Sequence, residues 1–459
     1  MAASAPLSII RIEVDKLFGY HDYVLPKEQK DIHRFFILYG DNGSGKTTIL
    51  RIIYGLLVPK SVPDARSFIM RTTFQSVRVY LSDGTKVAAE RPIGVLNGKF
   101  TFVLDQPGRE VVRLDLGSDD DRPVQAPQSI PVISALKELG LSVYFLPDDR
   151  KSADLDRKDM RNEISLYRDE LGNIQRFPGN TSDNQTRHLE IRPSISQVFS
   201  WIRSQVIKGS RVGDENSASI YRSVINRIAT HTARNDEEPT DNKAELIRRI
   251  EDLGASTKDF STYGLMRQFD YEYLLKQIEL THGENRKLVL GILKPYIDGI
   301  EARKDALKPS YEAVHRFVNN ANMLLHPKKV IFSITEGFTI LDKKKRKINP
   351  DLLSSGEKQI FLIFCHSILS RSRGGIFIID EPELSLNIKW QRQILDRISN
   401  IAGDTPIQFI LATHSIDLLA EHRSSTVQLK DIVNGDEKEA EGEDSREWEN
   451  EEATDGEIL

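Results

Sequence analysis

One octapeptide limits what this chain can fold into more than any other stretch. Gly40-Asp-Asn42-Gly43-Ser44-Gly45-Lys46-Thr47, continued by Thr48, has the spacing of a phosphate-binding loop. Phe35-Phe-Ile-Leu-Tyr39 precedes it as a short buried strand, and Ile49, Leu50, Ile52, Ile53, Leu56 and Leu57 follow it on one face of a helix. Strand, loop and helix in that order form the context that gives the motif meaning. Glycines let consecutive backbone N–H groups turn inward around a phosphate, and the helix N-terminus adds positive potential. Lys46 would reach the β- and γ-phosphates of a nucleotide, and the Thr47 hydroxyl would ligate Mg2+.

The patterns on either side are expected to complete an α/β domain. Leu7-Ser-Ile-Ile-Arg-Ile-Glu-Val alternates like a strand. From Phe74 to Leu116, strand patterns are punctuated by Ser82-Asp-Gly-Thr, Asn97-Gly98 and Gln106-Pro-Gly-Arg, which predicts an antiparallel hairpin lobe closed by a strand at Ser142–Pro147. Residues 1–150 are thus one half of the domain. Residues 151–327 read as a helical, coiled-coil-like insertion, with a helix after a Ser310 cap. Pro178-Gly-Asn-Thr-Ser-Asp and Arg234-Asn-Asp-Glu-Glu-Pro should break the insertion into pieces rather than one long coil. Residues 328–430 return to alternation, with strands at Lys329–Thr335, Ile376–Asp380 and Ile407–Ala412, and finish a largely parallel sheet split in sequence by the helices.

Three further motifs carry chemistry. Ile376-Phe-Ile-Ile-Asp380-Glu381 delivers two carboxylates at the C-terminal end of a buried strand, where α/β sheets bind ligands. Asp380 suits Mg2+, and Glu381 suits orienting or deprotonating a water. Ser354-Ser355-Gly356-Glu357 opens a strongly apolar helix and forms another anion-attracting helix start, although a capping box alone would account for Ser354 and Glu357. Leu411-Ala-Thr-His414-Ser415 ends the next strand.

The order of phosphate loop, Leu353-Ser-Ser-Gly-Glu-Lys signature, acidic strand end and histidine resembles the ABC-type P-loop ATPases, within them the SMC-like and OLD-like branch. The resemblance covers residues 1 to about 150 and 328 to about 430. It implies a head-to-tail pair of copies closing on shared ATP and Mg2+, because signature and phosphate loop of one such fold lie too far apart to sandwich one nucleotide. It further implies that Ser354 and Gly356 contact the γ-phosphate held by the other copy and that His414 senses it in cis. Glu383-Leu-Ser385-Leu-Asn387 then corresponds to the loop between subunits. Ser355 departs from the usual glycine, Glu357 from the usual glutamine, and Asn387 from an Asp or His. The glutamine that normally bridges Mg2+ and water has no clear counterpart; Asp148, Asp149 and Arg150 occupy an equivalent stretch, and Phe18 or Tyr20 is a candidate adenine contact.

Within that branch the Leu-Ser-Ser-Gly-Glu-Lys-Gln and Asp-Glu-Pro-Glu-Leu-Ser-Leu runs are similar to the ATPase subunits of anti-phage defence systems, the AriA family of PARIS and next the PtuA family of Septu and retrons. The output expected from that likeness is an ATP-dependent sensor and scaffold that holds or releases a separate toxic effector, such as a nuclease. Larger assemblies than a dimer are compatible with it. A DNA-repair ATPase of the SMC kind is the alternative, with DNA as partner. A transporter motor fits poorly, because about 300 residues separate Lys46 from Ser354. So does an OLD-type nuclease, as only 45 residues follow His414.

Composition adds limits. No stretch reaches the roughly 18 apolar residues of a membrane span, and the lone Cys365 sits in an apolar run as a buried small hydrophobe, so a cytoplasmic setting is expected. The 431–459 segment carries 13 Asp or Glu against Lys438 and Arg446 and reads as a solvated, disordered tail. Lys343-Lys-Lys-Arg-Lys347 reads as a hairpin tip, either solvated or phosphate-binding.

Overall fold

The computed structural model describes residues 7–26, 34–60, 62–117, 124, 126–148, 191–209, 243–281, 284–371 and 375–430. The breaks expected near Pro178 and Arg234, together with Asp149, Arg150 and the acidic tail, lie outside the described residues. The chain forms two compact units: residues up to Val143 with Gln408–His414 and the chain from Arg423, and Tyr144–Ile407 with Ser415–His422.

The first unit contains a six-stranded antiparallel sheet in the order β2-β1-β4-β5-β6-β7. Its strands are β1 (Ile9–Leu17), β2 (His21–Leu25), β4 (Ser76–Leu81), β5 (Lys86–Glu90), β6 (Phe100–Gln106) and β7 (Arg109–Leu116). Alternation along β1 and β4 sends Ile12, Val14, Val77 and Val79 into the core, and the predicted turns hold at Gly84 and Gly108, both in the left-handed region. Asn97-Gly98 does not form a hairpin turn. Residues 91–99 bridge β5 and β6 as a wider loop, because the buried Arg91 guanidinium gathers the carbonyls of Thr72, Phe74, Leu96 and Gly98 around itself.

The same unit holds β3 (Phe35–Tyr39), flanked in parallel by β14 (Thr426–Gln428) and by β13 (Ile407–Thr413) from Phe409 onward. Helices α1 (Lys46–Leu57) and α2 (Pro63–Arg71) belong here, as does α3 (Ala126–Glu138). The Gln408 amide links the two kinds of sheet. It donates to the Ile9 carbonyl at 2.8 Å and accepts from the Ile9 N–H at 2.7 Å, both buried.

The second unit begins with the remainder of β8 (Val143–Leu146) and is mainly helical, with a helix over residues 191–209 taken here as α4. Helices α5 (Lys243–Thr262), α6 (Tyr271–Leu280) and α7 (Glu284–Leu324) share a core of Leu246, Ile250, Leu253, Phe269, Ile278 and Ile297. Within the described residues the insertion is thus several helices rather than one. Ser310, however, is no cap: it is buried inside α7, a single 41-residue helix that passes through Pro295 and Pro309. The apolar face continues upstream of Ser310 through Ile297 and Leu307, and burying it outweighs the helix-breaking cost of proline.

β9 (Lys329–Ser333), β10 (Gly337–Leu341) and β11 (Lys347–Ile348) form a three-stranded antiparallel meander whose tip is the predicted basic hairpin. Asp342 organises that tip by accepting from the Lys344 and Arg346 N–H groups at 2.8 and 2.9 Å. Then follow α8 (Ser355–Ser370), β12 (Gly375–Asp380), α9 (Ile388–Ala402) and α10 (Ile416–Leu419). The last turns of α7 root the insertion on this region. The Phe317 ring meets Phe361 and Phe364 of α8 at 5.3 and 6.1 Å, and Asn320 donates to the Asn400 side chain on α9 at 2.8 Å. Cys365 is fully buried in α8, where desolvation pushes its thiol pKa up.

Candidate functional site: a phosphate loop and an acidic strand end

In the first unit the buried strand β3 ends at Gly40, and the loop turns into α1 through two left-handed glycines, Gly43 at φ 89° and Gly45 at φ 85°. A Cβ on Gly45 would lie 2.5 Å from Leu17 Cδ2 and 3.2 Å from the Phe18 ring, so the position needs glycine for both conformation and space. Ser44 tightens the turn, its hydroxyl donating to the Asp41 carbonyl at 2.8 Å, while the Tyr23 hydroxyl donates to the Ser44 carbonyl at 3.0 Å. Helix α1 starts with no side-chain cap and no acidic residue in its first turn. Its N-terminal N–H groups thus keep their positive potential for an anion.

The Lys46 side chain lies inside this loop. Its ammonium donates to the Gly40 carbonyl at 2.6 Å and the Asp41 carbonyl at 2.7 Å, at 6% exposure. A buried ammonium held by carbonyls is poised to exchange a neutral acceptor for phosphate oxygens, which bind it more strongly. Asn42 and Gly43 are exposed at the loop tip, and Thr47 and Thr48 are half-buried at the helix start.

His414 comes to the same end of the same sheet. Thr413 is in register with Tyr39 across the parallel β13 and β3, so the exposed His414 and Gly40 each follow immediately beyond that pair. Beside the loop, Phe18, Tyr20, His21 and Tyr23 form an aromatic cluster: Tyr20 and His21 are 4.2 Å apart, and His21 stacks on Tyr23 at 5.4 Å. Tyr20 is 65% exposed, and Phe18 has positive φ in a turn whose N–H donates to the Thr73 carbonyl.

In the second unit every residue of β12 is buried, including the terminal Asp380 at 0% exposure. A carboxylate at that depth on an apolar strand has the donor chemistry of a hard divalent cation. Glu381 follows with φ 45°, a conformation that turns the chain sharply out of the strand. Leu384 and Leu386 N–H groups close the next turn onto the Glu381 and Glu383 carbonyls at 3.1 and 2.9 Å, and Ser385 adopts φ 65°.

The Ser354 segment does form a capping box. Glu357 accepts from the Ser354 N–H at 2.8 Å, and the Lys328 ammonium donates to both Glu357 oxygens at 2.7 Å. Desolvation alone would raise the Glu357 pKa, but the bonds from Lys328 and Ser354 outweigh it and hold it below the usual glutamate range. Capping leaves Ser354 and Ser355 exposed at the helix start. Gly356 is buried, and a Cβ there would drive into the Ser385 carbonyl and lie 3.3 Å from the Trp390 ring. Gln359 further ties α8 to the acidic turn by donating to the Pro382 carbonyl at 3.4 Å.

Sequence reasoning missed Arg91, Gln391 and the packing of Gly356 on Ser385. The first two are single polar residues without a motif, and the third is a contact between segments about thirty residues apart. Asp148 is half-buried after β8.

A family model described as "AAA domain, putative AbiEii toxin, Type IV TA system" matches residues 147–421, more than half of the chain. The matched range includes Ser354, Asp380 and His414 but not the phosphate loop. Among solved structures, the Smc head domain of Pyrococcus furiosus with an extended coiled coil, bound to the C-terminal domain of ScpA, shares 14% identity at a TM-score of 0.40, covering 90% of this chain and 91% of that one. An SmcHead bound to the C-winged helix domain of ScpA shares 11% identity at a TM-score of 0.39, covering 90% and 91%. The Pyrococcus yayanosii Smc head with a coiled coil and joint shares 13% at 0.35, covering 90% and 93%. No curated protein matches the chain. No helix of the described residues is long and apolar enough to cross a membrane. The chain belongs to the AAA-domain family named above.

Proposed function

We propose that this member of the AAA-domain family is an ATP-hydrolysing switch, two copies of which close head to tail on shared ATP and thereby hold or release a separate toxic effector in antiviral defence. The observation that carries the nucleotide reading is the buried Lys46 ammonium inside a two-glycine loop at an uncapped helix start. Loop N–H groups and Lys46 would bind the β- and γ-phosphates. Thr47 and Asp380 would hold Mg2+, which when bound neutralises phosphate charge. Glu381 would orient a water and take its proton as the water oxygen bonds to the γ-phosphorus and the bond to the β-phosphate oxygen breaks. His414 would contact the γ-phosphate in cis. The exposed Ser354 and Ser355, with the Gly356 N–H, would meet the γ-phosphate held by the second copy. Phe18 or Tyr20 would stack on the base.

The AbiEii-type description of the family supports a defence or toxin–antitoxin setting. The rooting of α7 on α8 through Phe317 gives the insertion a route to respond to what the signature binds. A second reading, a DNA-binding repair ATPase, draws on the exposed Lys343, Lys344 and Lys345 at the hairpin tip. The test is purification of tagged wild-type and Lys46→Ala protein from the native host. Wild-type protein should hydrolyse ATP and retain a small nuclease or other toxic protein, and Lys46→Ala should bind no ATP. Retention of DNA alone, with DNA-stimulated hydrolysis, would move the assignment to repair. Absence of ATP binding by the wild-type protein would refute both.

A further inference from the structure

In the second unit a side-chain bridge runs between the acidic turn and the chain that follows His414. The Gln391 amide on the first turn of α9 donates to the Leu386 carbonyl at 2.9 Å, and its carbonyl oxygen accepts from the Ser415 hydroxyl at 2.7 Å. Each end of the bridge is itself fixed. Leu386 follows Ser385, whose carbonyl packs on Gly356 at the start of α8 and whose positive φ fixes the turn. Ser415 adjoins His414 in the chain and caps α10, accepting from the Leu418 N–H at 3.3 Å. A second strap runs alongside, Arg392 donating to Asp417 at 2.8 and 2.9 Å.

A primary amide is the group that can do this, since it presents a donor and an acceptor at once along one short side chain. Glutamate would keep the acceptor for Ser415 and lose the donor for Leu386. An aliphatic residue of similar length would keep the packing and lose both. The Arg392–Asp417 pair is exposed and so contributes little by itself, whereas Gln391 is half-buried.

We propose that Gln391 is a positioning residue that couples the Gly356–Ser385 contact to His414, so that engagement of the signature by a second copy sets the histidine for hydrolysis. The inference rests on the proposed ATPase reading. Displacement of Gly356 by a bound phosphate moves the Ser385 carbonyl packed against it, the Leu386 carbonyl follows along the chain, and the Gln391 amide carries the shift to Ser415 and the adjoining His414. The relay is short, and each of its non-covalent steps is a hydrogen bond or a van der Waals contact. Gln391 touches no nucleotide in this scheme, so its loss leaves ATP affinity intact and reduces turnover.

The test compares wild type, Gln391→Leu, Gln391→Glu, His414→Ala and the Gln391→Leu/His414→Ala double variant by steady-state ATP hydrolysis with Mg2+. Ser415→Ala is a second way to cut the same bridge should Gln391→Leu fold poorly. Misplacing a catalytic group by a fraction of an ångström costs on the order of tenfold or more in rate. Gln391→Leu and Ser415→Ala are therefore expected to lower kcat by about tenfold with KM within twofold of wild type. Gln391→Glu should be intermediate. The double variant should be no slower than His414→Ala, because the relay acts only through that residue, whereas a merely structural defect would add its full effect. A Gln391→Leu enzyme within twofold of the wild-type kcat, or one whose defect adds in full to His414→Ala, overturns the relay and leaves the ATPase reading standing. A wild-type protein that does not hydrolyse ATP overturns the ATPase reading and the relay with it.

Discussion

Arg91→Met should destabilise the first unit, and the size of the effect follows from what the guanidinium touches. Arg91 is 6% exposed and donates to the carbonyls of Ile69, Met70, Thr72, Phe74, Leu96 and Gly98 at 2.5–3.1 Å. It also lies 4.0 Å from the centroid of the Phe74 ring. Burial pushes its pKa down to about 10. That shift corresponds to a desolvation cost of about 3 kcal/mol, which the bonds must exceed for the charged form to stay buried. The Ile69, Met70 and Leu96 carbonyls each keep a backbone donor, from Thr72, Gly98 and Phe74. Methionine would fill part of the volume but leave the Thr72, Phe74 and Gly98 carbonyls without the guanidinium. At about 2 kcal/mol for each of these three buried acceptors, less the desolvation recovered, the net loss is about 3 kcal/mol. Urea denaturation followed by circular dichroism measures it directly. The midpoint should fall with the slope unchanged, and the 72–74 turn that accepts from the Phe18 N–H should loosen with it. A loss below about 1 kcal/mol would refute the assignment of Arg91 as the organiser of the loop over residues 91–99.

Three further outcomes are expected. Gly356→Ala places a methyl against the Ser385 carbonyl and the Trp390 ring, so ATP hydrolysis should drop by at least about tenfold while nucleotide binding by the phosphate loop persists, as a fluorescent ATP analogue would report. His366, buried in α8, has its imidazole pKa pushed by desolvation to about 4. The unfolded chain takes up a proton near pH 6.5 and the folded one only near 4, so stability should fall by about 3 kcal/mol as pH drops through that window, and His366→Leu should flatten the dependence measured by denaturation at each pH. Gln408→Leu removes both bonds to the Ile9 backbone and should cost about 2 kcal/mol in the same urea assay.

Much of this was legible because short-range physics dictates it. A two-glycine turn between an apolar strand and an amphipathic helix admits one kind of structure, and Gly40 to Thr48 folds accordingly. The meander around Gly84 and Gly108 and the hairpin at Lys343–Lys347 follow equally from local turn chemistry. Where local and tertiary preferences conflict, the sequence misleads. Ser310 beside Pro309 looks like a helix start, yet α7 runs through both because its apolar face has somewhere to pack on either side. The capping box at Ser354 is a local signal that is also true, and by itself it does not separate a helix start from a ligand site. Arg91 and Gln391 were invisible for another reason. Each works through backbone carbonyls or a hydroxyl supplied by other segments, and no periodicity or spacing marks an amide or guanidinium for that task.

The central claim is that two copies close on ATP, and the mass of the protein in solution tests it most directly. Glu381→Gln, wild type and Lys46→Ala should be compared by light scattering after gel filtration, with and without ATP and Mg2+. Glu381→Gln should bind ATP without hydrolysing it and accumulate as a species of at least twice the 52.2 kDa chain mass, present only with nucleotide. Lys46→Ala should show no change on adding ATP. A Glu381→Gln protein whose mass is the same with and without ATP, although it binds the nucleotide, would contradict the account.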